Sequence, residues 1–303
     1  FNLFRKRNRY AVPLFALLTF VFFAIPGMLA IVQVPPGHIG IVYSKVGADL
    51  PVDQLLANDK QKGVREEFLT PGWHVINPLW IKVEIQPDTI VPAGMVGVQT
   101  SMVGTPLPKG RLLAEHGEKG VLREMLTPGT YQIHPHATKI EVIPEVVVPA
   151  GSVGVQNSLV GAPLPEGQLL AEPGQRGVLR ELLTPGTYRI HPHAKTIDIR
   201  PEITIPAGAV GVQTSMVGTA LPEGLQLAEL GQKGVLREHL TPGTYRIHPH
   251  ERSVKLYPAI EFDASFVGNQ VAKTGRVPSR NQVLAKRGER GVRAEYLPAG
   301  MHF

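Results

Sequence analysis

The sequence predicts an all-β chain of tandem repeats, each a small, partly open barrel or sandwich of 57 residues, behind one N-terminal transmembrane helix. Three observations predict it. A long uncharged run lies near the N-terminus, a fixed 57-residue period fills the rest, and short period-two alternations sit between Gly and Pro turns.

The uncharged run is residues 11–34, AVPLFALLTFVFFAIPGMLAIVQV, without a charged side chain over 24 positions. At 1.5 Å per residue, about 20 apolar residues cross a bilayer core. Pro26 and Gly27 are tolerable in such a helix. The run is too long for a signal peptide and shows no A-x-A site. It is apolar on every face, unlike a soluble amphipathic helix. The basic flank in residues 1–10 places the N-terminus in the cytoplasm and the repeats on the opposite side, which is the periplasm in a bacterial inner membrane.

The period is read from glycines. Gly72, Gly129, Gly186, Gly243 and Gly300 stand at the same step, in the repeat turn, and so do Gly40, Gly97, Gly154, Gly211 and Gly268. No insertion or deletion interrupts it. The repeats are residues 35–91, 92–148, 149–205 and 206–262, with an incomplete fifth from 263 to 303. The last residues parallel the middle of a repeat, so the chain is expected to continue.

The third repeat shows the local pattern. Val153 and Val155 alternate with Gly154 in a first strand. Gln168 to Glu172 reads as a second strand, and Val178 to Leu183 as a third piece, extended or a single turn. Thr184-Pro185-Gly186 fits a type II turn. After it, Tyr188 and Ile190 alternate with Arg189 and His191, which places the tyrosine and isoleucine inward and the arginine and histidine outward. Such a unit makes only a marginal core alone, and stacking on neighbours would cover it.

Composition excludes several functions. Without cysteine there is no disulfide, thiolate metal site or cysteine nucleophile. The net charge of +6 sits at the ends: residues 1–9 contribute +4, residues 270–303 contribute +5 and the middle −3. No basic groove runs along the body, so nucleic acid is not an expected partner. No Ser-His-Asp spacing is present, and no catalytic residue, cofactor or enzyme activity is predicted. The glycine-flanked loops such as Gly174-Gln175-Arg176-Gly177 lack the helix of a phosphate cradle and read as hairpin turns.

The residues Val34-Pro35-Pro36-Gly37-His38-Ile39-Gly40-Ile41-Val42, followed by Leu69-Thr70-Pro71-Gly72-Trp73-His74-Val75-Ile76-Asn77-Pro78, carry a resemblance. Behind a membrane span, they resemble the opening of the SPFH (band 7) family of prohibitins, stomatins, flotillins and HflK/HflC proteins. Leu297-Pro298-Ala299-Gly300-Met301-His302 resembles the same turn. The family has one such β-subdomain followed by an α/β part and a long helix. Here the β-subdomain is multiplied and no helical part follows. The tandem arrangement is also similar to the major vault protein repeats. Both resemblances imply large rings or cages of parallel chains, and the resemblance to the SPFH family implies that such cages partition membrane patches and hold partner proteins.

Two sets of residues remain as candidate sites. The eleven residues LTPGTYRIHPH occur twice, ending at His193 and His250, and once with one change, ending at His136. The pairs His134/His136, His191/His193 and His248/His250 offer alternate imidazoles to a metal. Against that, each pair lacks a third ligand, and Asn77-Pro78-Leu79 fills the same positions in the first repeat. Strand-end residues at a junction between repeats or chains are the competing reading. The second set is Glu67, Glu124, Glu181 and Glu238, beside Arg123, Arg180 and Arg237 in the central repeats, which reads as ion pairs between repeats or chains. The expected function is a membrane-anchored homo-oligomeric scaffold, a ring, tube or cage wall enclosing a membrane microdomain. An envelope-spanning stalk or conduit for a ligand is the alternative, and a metal-dependent enzyme using the histidines is a third.

Overall fold

A computed structural model of the chain describes residues 30–302, and every regular element among them is a β-strand. Residues 11–29 of the predicted transmembrane helix lie outside the described residues. The last five residues of that prediction are corrected: Ala30–Val34 is a strand, antiparallel to Gly72–Ile76. Ile31 and Gln33 face out while Val34 is buried, an alternation that uniform apolarity hides. Among the described residues no helix is long and apolar enough to cross a membrane.

The chain divides into two compact units, one ending at Glu145 and one starting at Val146. The first contains two copies of one strand arrangement, and the second contains two full copies and a partial one. In the third repeat, Ser152–Ser158 is the middle strand of an antiparallel sheet. It is flanked by Gly177–Leu183 and Lys195–Pro201. A separate short pair joins Val146–Val148 to Gly186–Tyr188. The first unit repeats this plan around the middle strands His38–Ser44 and Met95–Ser101. The second repeats it around Ala209–Ser215, and in part around Gly268–Ala272, which has one flanking strand. The short strands Thr89–Val91, Val146–Val148, Ile203–Ile205 and Ile260–Phe262 pair with strands beyond the next proline turn. The closing residues of one 57-residue repeat are thus hydrogen-bonded into the following one.

The middle strand is buried on both faces, with Val153 and Val155 on one and Gly154, Gln156 and Ser158 on the other. Gly154 is small for a reason of space. A Cβ there would meet the Leu183 Cβ at 3.0 Å and Ile197 and Val148 methyls at 3.2 Å. The short strand pair therefore lies directly over this face, with Val148, the last residue of its first strand, buried against it.

Pairing of the middle strand with Gly177–Leu183 skips between Val155 and Asn157, and the same irregularity recurs in every repeat. Such a bulge leaves backbone groups free of the ladder. Ala171 fills the gap: its N–H donates to the Val178 carbonyl at 2.7 Å and its carbonyl accepts from Arg180 at 3.0 Å. The predicted strand Gln168 to Glu172 is therefore corrected to a loop that touches the sheet at one residue, Ala171. The prolines and glycines around it (Pro165, Gly167, Pro173, Gly174) leave too few residues for a strand.

The type II turn is corrected as well. It needs φ near +80° at its glycine, whereas Gly186 has φ +159° and Gly243 +156°. Both glycines are the first residues of strands, and the backbone passes from the proline into extended conformation. A tighter constraint sits at Gly161, φ +116°, whose position for a Cβ coincides with the Gly174 carbonyl. That carbonyl accepts from Ala162 at 2.9 Å, so the predicted turn at Gly174–Gly177 is held down against Gly161 and Ala162.

Candidate functional site

The repeated turn is closed from within. Tyr188 is half-buried and its hydroxyl donates to the Thr184 carbonyl at 2.8 Å, spanning the Pro-Gly bend; Tyr131 and Tyr245 do the same to Thr127 and Thr241. At the same position in the outer repeats, the His74 and His302 rings approach the Thr70 and Pro298 carbonyls at 2.7 Å. The short strand thus leaves the turn at one fixed angle in every repeat and delivers the next residues, Ile190 and His191, to the same place.

Those residues are not disposed as alternation suggests. His134, His191 and His248 are buried, with 4–6% of their surface exposed, whereas His136, His193 and His250 are exposed. The short strand ends at Tyr131, Tyr188 or Tyr245, before the first histidine is reached, and that histidine starts a turn. The His248 carbonyl accepts from the N–H groups of Glu251 and Arg252 at 2.9 and 3.0 Å, and its Nδ1 accepts from the His250 N–H at 3.1 Å. His134 and His191 accept from their second neighbours at 3.2 Å in the same way. Asn77 does this job in the first repeat, its Oδ1 accepting from the Leu79 N–H at 3.0 Å. Asn and neutral His both supply a lone pair two bonds from the Cβ, which is what this turn requires.

Histidine supplies one group more. With Nδ1 an acceptor, the proton is on Nε2, and the His248 Nε2–H donates to the Leu179 carbonyl at 3.0 Å. Leu179 lies in the bulge of the preceding repeat, where strand pairing is interrupted. His248 therefore ties the fourth repeat to the third. In the first unit, the His134 ring is turned to the Arg65 carbonyl, the corresponding group of the first repeat, and stacks at a tilt on Phe68. Its Nε2 closes no hydrogen bond there. The Tyr43 hydroxyl meets His136 Nε2 at 3.3 Å across the same junction. Burial is the main cause that lowers the pKa of His134 and His248 below the ordinary 6.5; the flanking His136 and His250, and Arg180 beside His248, lower it further.

These contacts bear on the metal reading. The two rings of each pair are 5.8 Å apart between centroids, one buried and one exposed, and both nitrogens of His248 are taken by backbone. Among the described residues no three His, Asp or Glu side chains come together as a ligand set.

The arginines of the second candidate set pair inside their own repeats with glutamates that sequence reasoning did not select. Arg123 meets Glu115 at 2.8 Å, Arg180 meets Glu172 at 2.9 Å, and Arg237 meets Glu229 at 2.8 Å. In each pair both partners are more than half exposed. Glu67, Glu124, Glu181 and Glu238 are exposed and, among the described residues, make no ion pair. Sequence reasoning also did not select Arg246, which bridges repeats to Glu202, whose side chain is 10% exposed. The glycines of the repeat turn, Gly72, Gly129, Gly186, Gly243 and Gly300, each open the strand that follows the proline.

The junctions also carry clefts at equivalent positions. One of about 760 Å³ lies between the first and second repeats, lined by Asp53, Glu66, His116 and Lys119 among others. One of about 570 Å³ lies between the fourth and fifth. The space at the third–fourth junction is only about 110 Å³. Comparison of the chain with protein-family models finds no match, and comparison with curated proteins finds none either.

Proposed function

We propose that the chain is a membrane-anchored scaffold whose repeats pack side by side with those of other copies, forming a ring, tube or cage wall. One observation carries the reading. In each full repeat, one edge strand of the sheet presents an exposed apolar residue at the same position. Ile85 is 44% exposed, Val142 36%, Ile199 42% and Leu256 46%. An edge strand offers unpaired backbone groups, and a repeated apolar side chain beside them is a surface suited to another chain. Equivalent positions in successive repeats give equivalent lateral contacts when the chains run in parallel. Residues 11–29 keep 19 uncharged positions, within the length that spans a bilayer, and supply the anchor. The similarity of residues 34–78 to the start of SPFH proteins supports the same reading.

The test is the mass and image of the full chain extracted in mild detergent. Large closed particles are expected by light scattering and electron microscopy. The combined variant Ile85→Glu, Val142→Glu, Ile199→Glu and Leu256→Glu should fall to monomers while keeping its β circular dichroism. A native chain that is monomeric at micromolar concentration defeats the proposal.

A further inference from the structure

The cleft between the fourth and fifth repeats is set apart from its counterparts by its charge. Arg237, Lys273, Arg276, Arg287, Arg290 and Arg293 line it, with Gly224, Gly275 and Gly288, and no carboxylate is among the lining residues. Subtracting the 57-residue period gives the matching residues of the fourth repeat for the five basic residues of the fifth: Met216, Thr219, Leu230, Lys233 and Leu236. Four of the five thus change from neutral to basic together, while the surrounding glycines and the buried Ala285 keep their places. In the first–second cleft the same positions are Met102, Thr105, His116, Lys119 and Leu122, and Asp53, Glu66 and Glu124 line the space as well.

Six cations around one space repel each other, and water alone relieves this poorly in a concave site. One of the six is already paired, and one nearby carboxylate is engaged away from the cleft. Glu229 holds Arg237 at 2.8 Å, and Glu289 accepts from Gln282 at 2.5 Å and from the Lys286 N–H at 2.8 Å. Arg293 Nη1 donates to the Lys286 carbonyl at 3.3 Å, which fixes its stem and leaves most of its fork free. Arginine forks bind phosphate oxygens in pairs, and five of the six cations are arginines. The volume suits a compact ligand rather than a single inorganic ion. No aromatic side chain lines the cleft, so the stacking platform of a single-stranded nucleic acid is missing.

We propose that this cleft is a binding site for a compact, multiply phosphorylated anion, held by Arg276, Arg287, Arg290 and Arg293. The chemistry is shared by free oligophosphates and by multiply phosphorylated lipid headgroups. The site is independent of whether the repeats assemble side by side.

The experiment uses the full chain in phosphatidylcholine nanodiscs, titrated calorimetrically with sodium tripolyphosphate and, separately, with soluble dioctanoyl phosphatidylinositol bisphosphate. One tripolyphosphate per chain is expected, with affinity that falls as salt rises. Arg276 and Arg287 are exposed, so the double variant Arg276→Thr with Arg287→Leu folds as the parent does and should bind about a hundredfold more weakly, about tenfold per arginine. Adding Lys273→Met and Arg293→Leu, which gives the residues of the fourth repeat, should abolish binding. Binding of tripolyphosphate alone identifies a free oligophosphate. Displacement of it by the lipid identifies a headgroup. Unchanged affinity in the double variant, or no binding of either probe at about 10 mM, overturns the proposal.

Discussion

Replacing His248 tests whether the buried histidines hold repeats together. The side chain makes two bonds of different reach. Nδ1 accepts from the His250 N–H within the turn, and Nε2–H donates to the Leu179 carbonyl of the preceding repeat. His248→Asn keeps the first and loses the second, as Asn77 shows by its own contact with Leu79. Leaving the buried Leu179 carbonyl unpartnered costs about 1–3 kcal/mol. His248→Ala loses both bonds and leaves a cavity in a site only 4% exposed, so about 1–2 kcal/mol more is expected. Hydrogen exchange read by mass spectrometry resolves the two. In His248→Asn, amides of Gly177–Leu183 should exchange about ten- to hundredfold faster while the turn at 248–252 changes little. In His248→Ala both segments should loosen. Exchange confined to residues 248–252 in both variants would show that the contact with Leu179 carries no load, and the account of the junction would fail.

Three further outcomes are expected. His134 and His248 have pKa values lowered by burial, so the unfolded chain takes up protons that the folded chain refuses. Their contribution is complete above pH 6.5 and is lost as pH falls below it toward the folded values. Protonated Nδ1 also clashes with the N–H it now accepts, and of the neighbours Glu251 favours the charged form while His250 and Arg180 oppose it. Thermal melts from pH 8 to pH 5 should therefore show a declining midpoint, less steep in His248→Asn. Gly154→Ala asks three neighbours to give by a few tenths of an ångström and should cost about 1–3 kcal/mol. Gly161→Ala, set against a backbone carbonyl at φ +116°, should cost more, and equal denaturation midpoints for the two would refute the distinction. Arg180→Ala removes an exposed ion pair with Glu172 and should change stability by about 0–1 kcal/mol in urea titrations.

The class of fold was legible because its signals are local. Period-two alternation and a fixed glycine spacing do not depend on partners, and both describe the strands as they stand. What escaped was decided by contacts between strands. Ala171 looks like part of a strand until its two backbone bonds to a bulge are seen. Ala30–Val34 is apolar enough for a membrane and becomes a strand because Gly72–Ile76 lies beside it. His191 alternates with Ile190 on paper, yet the strand ends at Tyr188 and the ring is buried in the turn that follows. The signal that would have found the histidine's role was present in Asn77: a residue that replaces His without a metal-binding group points to a shared hydrogen-bond acceptor. The Arg–Glu pairs were misassigned because the bulge brings residues eight apart together, a spacing neither a strand nor a helix predicts.

The junctions separate two kinds of residue. Those that make the turn hardly vary: Tyr131, Tyr188 and Tyr245 close it, and His134, His191 and His248 are buried in it, with Asn77 supplying the acceptor where histidine is absent. Those that line the clefts vary freely, from the carboxylates at Asp53 and Glu66 to the arginines at Arg276 and Arg287. A turn must satisfy fixed backbone groups and admits few side chains. A half-open cleft satisfies nothing in the backbone and admits many. Near-identical repeats therefore need not be functionally identical. The construction fixes where each cleft lies, and its lining sets what that cleft attracts, so the fifth repeat can acquire a charge the others lack at little cost to the strands that carry it.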